Sequence, residues 1–261
     1  MSTAKEPPAL PRTYAWFSAL MSGDTDTMTE LLARGLPVDV RHPLRHTTAL
    51  MEATRLGRIL LVQFLLGQDA APAFLCGTPK GTPIHCALFY KQWEIAELLI
   101  DAANSITITD ELGRTPLHVL AMEPLEDSDM PFAQAIAGQL IGKRCPLDAL
   151  DTEGITVLHY CVINDHGRLA ALLLRSGAAP DILTPDTRVS PLAIAALERN
   201  LALAALLMEF GANPNLPMKG GATPLSIMPQ LARLDGSVPL RPRARKQPAA
   251  SILPLRRPSA G

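Results

Sequence analysis

The four residues Thr115-Pro116-Leu117-His118 recur along this 261-residue chain at nearly constant intervals, and that recurrence limits the possible fold more than any other feature. Weaker copies stand at Thr48-Ala49-Leu50-Met51, Thr82-Pro83-Ile84-His85, Thr156-Val157-Leu158-His159, Ser190-Pro191-Leu192-Ala193 and Thr223-Pro224-Leu225-Ser226. Successive copies are 34, 33, 41, 34 and 33 residues apart, and Tyr14 lies 34 before the first. A fixed period in this range belongs to stacked repeat units, each of which buries its apolar face only on its neighbours.

One design runs through the units. Thr caps the N-terminus of a short helix through its side-chain oxygen, and Pro is pre-set for the first helical position. A turn follows, then a second helix ending in a Leu pair such as Leu65-Leu66, Leu98-Leu99, Leu172-Leu173 or Leu206-Leu207. Gly35, Gly177 and Gly211 each lie 21 residues after their signature position, where a left-handed residue ends the helix. Asp69, Ala103 and Arg144 take that place in the other units and are expected to weaken those ends.

The signature spacing predicts units starting near residues 14, 48, 82, 115, 156, 190 and 223, the last of them truncated. Residues 1–12 read as a flexible leader and residues 13–235 as the repeat body. In the first unit, helices are predicted over Tyr14–Met21 and Thr25–Ala33. The eight extra residues of the fourth unit place an enlarged acidic loop at Glu123–Asp129, before a second helix near Pro131–Ile141. Residues 236–261 hold six Lys and Arg and no acid. The total charge of −1 therefore hides a body of −7 and a tail of +6. Rich in Pro and Arg and lacking periodicity, that tail reads as disordered.

The stretches Asp110–His118 and Asp151–His159, with Leu172–Asp181 and Leu206–Asn215, resemble the ankyrin repeat family over about residues 13–233. His46 and Arg188 stand where the family pattern has a turn glycine. The resemblance implies an all-α solenoid of stacked helix-turn-helix units joined by β-hairpin-like loops. In this frame Thr82, His85, Thr115, His118, Thr156 and His159 are helix caps, each His reaching back to its Thr in a relative of the capping box.

Catalytic chemistry finds little footing. The chain has no phosphate-binding glycine loop, no H-E-x-x-H and no G-x-S-x-G. Cys76, Cys86, Cys145 and Cys161 form no C-x-x-C pair, and Cys161 sits where the repeat usually has Ala, as a buried reduced thiol. No catalytic residue, metal site or cofactor is expected. No apolar run reaches membrane-spanning length. The expected molecule is a monomeric, cytoplasmic, non-enzymatic protein.

The family resemblance places partner contacts on hairpin tips and on the exposed side of each first helix. The seventh and eighth residues after each signature are Arg55 and Leu56, Phe89 and Tyr90, Met122 and Glu123, Ile163 and Asn164, Leu197 and Glu198. An apolar stripe of Leu56, Phe89, Tyr90, Met122, Ile163 and Leu197 is expected to bind another protein, bordered by Glu111, Leu112, Arg114, Glu123 and Glu153. Two other readings stand beside it. One is a secreted, host-directed or toxin-neutralising interaction protein. The other is contact with nucleic acid, an anionic polymer or a membrane surface through the tail 236–261.

Overall fold

A computed structural model describes residues 9–75 and 81–233. Thirteen α-helices and one short 3-10 helix, with no strand, make up the regular structure of these residues. The helices come in pairs: α1 (Ala9–Ser22) and α2 (Thr25–Ala33), α3 (Ala49–Arg55) and α4 (Ile59–Gly67), α5 (Pro83–Phe89) and α6 (Trp93–Ala102). They continue with α7 (Pro116–Met122) and α8 (Met130–Gly142), α9 (Val157–Ile163) and α10 (Gly167–Arg175), α11 (Pro191–Leu197) and α12 (Leu201–Glu209). The last pair is α13 (Pro224–Ile227) with the 3-10 helix Pro229–Arg233. No described helix is long and apolar enough to cross a membrane.

The described residues divide into two compact units, one up to residue 111 and the other from residue 112. Within the first, α1, α3 and α5 pack in succession and α4 packs on α6. Within the second, α7, α9, α11 and α13 form one row, and α8, α10 and α12 another. Ala supplies much of the first-helix core: Ala49, Ala53 and Ala87, and later Ala193, Ala195 and Ala196, are fully buried. Small side chains let neighbouring helices approach closely. The second helices bring larger groups, among them Leu65, Leu99, Ile136, Leu140, Leu173 and Leu207, all at 0% exposure. Each contributes about 1.5–3 kcal/mol by leaving water.

The signature residues start the helices as their chemistry predicts. Thr48 Oγ1 accepts from the Met51 amide at 3.3 Å, Ser190 Oγ from Ala193 at 3.1 Å and Thr223 Oγ1 from Ser226 at 3.1 Å. Where His is third, the cap is reciprocal. The Thr82, Thr115 and Thr156 amides donate to Nδ1 of His85, His118 and His159 at 3.3, 3.1 and 3.2 Å. Nδ1 is thereby an acceptor, so the proton lies on Nε2. His118 Nε2 donates to the Ile155 carbonyl at 3.2 Å, and His159 Nε2 to Val189 at 3.1 Å. Each of these two histidines therefore ties its helix start to the loop of the next repeat as well as capping it.

The loops between pairs are tight, hairpin-like turns. Asp151 N donates to Ile155 O and Thr184 N to Val189 O, both at 3.1 Å. Neighbouring loops join through Thr152 N to Leu112 O and Lys219 N to Thr187 O, both at 2.9 Å. Gly154 turns one loop at φ +72°, and a Cβ there would lie 2.2 Å from Pro185 Cδ. His46 and Arg188, which replace the turn glycine, adopt φ 55° and 53°.

Several boundaries differ from expectation. Helix α1 begins at Ala9, so residues 9–12 belong to a helix rather than to the leader. Pro11 falls in its first turn, where a missing N–H breaks no helical bond. Arg12 Nη1 reaches the Arg34 carbonyl at 3.5 Å. Asp69 and Arg144 take the left-handed conformation predicted for their helix ends, at φ 62° and 64°. Ala103 does not: at φ −77° and ψ 128° it leaves α6 in an extended direction. A Cβ makes the left-handed form costly, and Ala has no polar group to offset it. Residues 1–8 and the basic tail 236–261 lie outside the described residues.

Candidate functional site

The residues of the expected stripe lie at the C-terminal ends of the first helices. In the first unit, Leu56 caps α3 and is half-buried, while Phe89 and Tyr90 end α5 at 42% and 47% exposure. The two rings meet edge to face with centroids 5.1 Å apart. An edge-to-face contact of this kind is the favoured arrangement of two aromatic rings. In the second unit, Leu197 is 41% exposed, and Met122 and Ile163 are half-buried.

The border residues separate into two groups. Glu111, Leu112 and Glu153 are exposed, and the Thr152–Leu112 hydrogen bond brings the tips bearing Leu112 and Glu153 together. Glu123 is half-buried. Arg114 departs from expectation: it is buried at 8% exposure, with Nη1 3.1 Å from Met122 Sδ. Its long stem covers apolar surface rather than presenting a charge at the tip.

Beside the aromatic pair lies a charge cluster that the repeat pattern does not announce. Glu52 on α3 is 3% exposed. Its Oε2 accepts from Arg55 Nε at 3.1 Å and Nη2 at 2.8 Å, and its Oε1 accepts from Thr47 Oγ1 at 2.8 Å. Arg45 Nη1 stands 3.6 Å from the same carboxylate. Burial pushes the Glu52 carboxyl up, but the Arg55 and Thr47 hydrogen bonds and the two guanidiniums outweigh it and hold the group below its ordinary value. One buried anion is thus matched by two cations, whose side chains remain 40% and 57% exposed for Arg55 and Arg45.

A second set of polar residues belongs to the frame. Asn164 Nδ2 donates to the Ala121 and Met122 carbonyls at 3.0 and 3.1 Å, and His166 Nε2 to Glu123 O at 2.9 Å. These bonds satisfy the end of α7, which exits extended into the enlarged loop. Arg58 Nη1 does the same for α1, donating to Leu20 and Met21 at 2.9 and 2.7 Å. Arg58, Gln92, His166 and Asn200 are the N-cap residues of their second helices. Each lies ten residues after its signature. That register was the available signal.

Reactive chemistry has little to work with here. Burial pushes the Cys145 and Cys161 thiols up, which removes the thiolate a nucleophile needs. Burial holds the His159 imidazole at about 4, against hydrogen bonds that favour its cation. Tyr160, also raised by burial, donates to the buried Asp151 Oδ2 at 2.7 Å. Among the described residues no group of His, Cys, Asp and Glu is placed to hold a metal ion.

Paired short helices, capped at a fixed residue and linked by turning loops, define a repeat protein of the interaction-module class. Comparison with known proteins agrees. The family model for ankyrin repeats in three copies matches residues 132–226, and the single ankyrin-repeat model matches residues 81–111. B-cell lymphoma 3 protein homolog of Mus musculus is 31% identical over 146 residues, covering 56% of this chain and 32% of its own. Palmitoyltransferase AKR1 of Lachancea kluyveri is 23% identical over 164 residues, covering 62% of this chain and 22% of its own. This chain thus spans a third or less of either relative's length. The crystal structure of the ankyrin repeat domain of Bcl-3, a member of the IκB protein family, superposes with a TM-score of 0.71 at 22% identity. That match covers 88% of this chain and 99% of the other. Residues 81–111 and 132–226 of this chain are thus ankyrin repeats, and the fold of the whole described body is that of an ankyrin repeat domain.

Proposed function

We propose that this protein is a non-enzymatic binding module that captures another protein through the exposed ends of its first helices. The observation that carries this reading is the Phe89–Tyr90 pair. Two large aromatic side chains, each more than two-fifths exposed, stand side by side on one helix end. Isolated exposed apolar residues are ordinary, whereas paired rings beside half-buried Leu56 have the make-up of an interface anchor. In the second unit Leu197 is 41% exposed, and Ile163 and Met122 are half-buried at the corresponding repeat positions.

The test is Phe89→Ala combined with Tyr90→Ala. Affinity purification from the native source, read by mass spectrometry, is expected to lose the partner, with binding weakened by about thirtyfold or more, as for hot-spot truncations near 2 kcal/mol. Thermal unfolding is expected to stay nearly unchanged because both side chains are exposed. A double variant that collapses on mild heating, or that retains the partner at wild-type strength, overturns the reading.

A further inference from the structure

The charge around the aromatic pair identifies the kind of partner it fits. Among the described residues of α1, α3 and α5, the only acid is Glu52, and it is buried under two arginines. The acids of the paired helices lie elsewhere: Asp26 and Glu30 on α2, and Glu94, Glu97 and Asp101 on α6. Charge in this unit is therefore sorted between its two rows of helices. On α3 and the hairpin before it, residues 40–56, the exposed charge is cationic and comes from Arg41, Arg45 and Arg55.

The two guanidiniums beside Glu52 differ in what they have left to give. Arg55 makes both of its side-chain hydrogen bonds to Glu52, which fixes its planar fork in place. It ends α3, which packs on α5, the helix whose end carries the rings. Arg45 approaches Glu52 only at 3.6 Å, beyond hydrogen-bond length, with 57% of its side chain in water. The carboxylate neutralises one cation and orients the other, leaving about one positive charge of excess. A pre-oriented arginine beside an aromatic anchor suits a carboxylate that follows an apolar side chain.

Resting on the function proposed above, we infer that this surface recognises an acidic protein segment that presents an apolar side chain next to one or more carboxylates. The apolar group packs on Phe89 and Tyr90, and the carboxylate meets Arg45 and Arg55. The chain's own tail 236–261 is a poor occupant, because its six cations would be repelled. Nucleic acid is disfavoured too, since phosphate-backbone binding draws on roughly six to ten cationic contacts and this surface offers far fewer.

A displayed library of random short peptides, selected against the full chain, tests the inference. Enriched peptides are expected to pair an apolar residue with Asp or Glu. The best of them, made synthetically with a fluorophore, is expected to bind about tenfold more weakly to Arg45→Gln, and to weaken further as salt is raised. Arg55→Lys keeps a charge near Glu52 and so guards against misreading a folding defect. It too is expected to weaken binding, because an ammonium lacks the two-pronged fork. Phe89→Ala is expected to abolish binding of the same peptide.

Enrichment of neutral or basic peptides whose binding still requires Phe89 overturns the acidic preference and leaves the proposed function standing. Acidic peptides whose binding ignores both Phe89 and Tyr90 overturn both. Failure to enrich any peptide overturns the acidic preference, as does an oligodeoxythymidine probe that displaces the selected peptide.

Discussion

At the scale of single residues, His159 shows how a side chain that looks catalytic is spent on the fold. Its Nδ1 accepts from Thr156 and its Nε2 donates to Val189, so both ring nitrogens are occupied at 0% exposure. Protonation would add a donor where an acceptor is needed, and would place a charge in the core. The folded imidazole is held at about 4, against 6.5 when unperturbed. Stability from this group is therefore fully present above about pH 6.5. As pH falls from 6.5 toward 4 the unfolded chain takes up a proton that the folded one refuses, and about 3 kcal/mol is lost. Urea unfolding at about pH 7 and about pH 4 is expected to show that loss, and His159→Gln to show a smaller difference across the same window. The cap was legible in the sequence, because Thr and His three apart at a helix start have one economical use. The Val189 bond was not, since it depends on how far the next loop folds back. Arg114 was misplaced for a related reason. Its position in the repeat says hairpin tip, while its burial comes from packing against Met122.

Among elements, the loops are where the repeat tolerates least and where two units depart from it. Gly154 faces Pro185 at a distance no Cβ can occupy, with the backbone at φ +72°. Gly154→Ala adds left-handed strain of about 1–2 kcal/mol to a clash of about 1–3 kcal/mol. A loss of about 3 kcal/mol in urea unfolding is expected. The sixth unit asks the opposite question, because Arg188 already bears the strain at φ 53°. Arg188→Gly relieves it but loosens the unfolded chain, and a net gain of about 0.5 kcal/mol is expected from the same measurement. A loss at Arg188 as large as that at Gly154 would mean that the arginine side chain matters more than its backbone. Both turn positions could be read from register alone. The bounds of α8, Met130–Gly142, also fell within one residue of the pattern. What register could not supply was the fate of the carbonyls freed by the enlarged loop, which Asn164 and His166 take up from the following repeat. The charge cluster at Glu52 was hidden likewise, since Arg45 and Arg55 converge only once the hairpin packs on α3.

For the whole molecule, the repeat period predicts more than a succession of helices: each unit leans on the next, so the last one carries an end to be sealed. Among the described residues that seal is slight. Helix α13 has four residues and the 3-10 helix five, packed on α11 and α12. Their buried content is mainly Pro224, Met228 and Leu231, the last two at 5% and 1% exposure. Leu231→Ala removes the largest part of that cover, at about 2–3 kcal/mol for a site able to relax. In a quasi-one-dimensional array such a loss is felt by the neighbouring repeat first and fades with each further interface. Hydrogen exchange on Leu231→Ala is expected to rise in α13, then in α11 and α12, with α1–α6 unchanged. A uniform rise through every helix would instead mean that the chain unfolds as one cooperative block. The gradient also bears on binding, because Phe89 and Tyr90 lie in the unit where exchange is expected to stay constant. Loss of partner in Leu231→Ala, with α5 still protected, would assign the second unit's Leu197 surface a share of the contact.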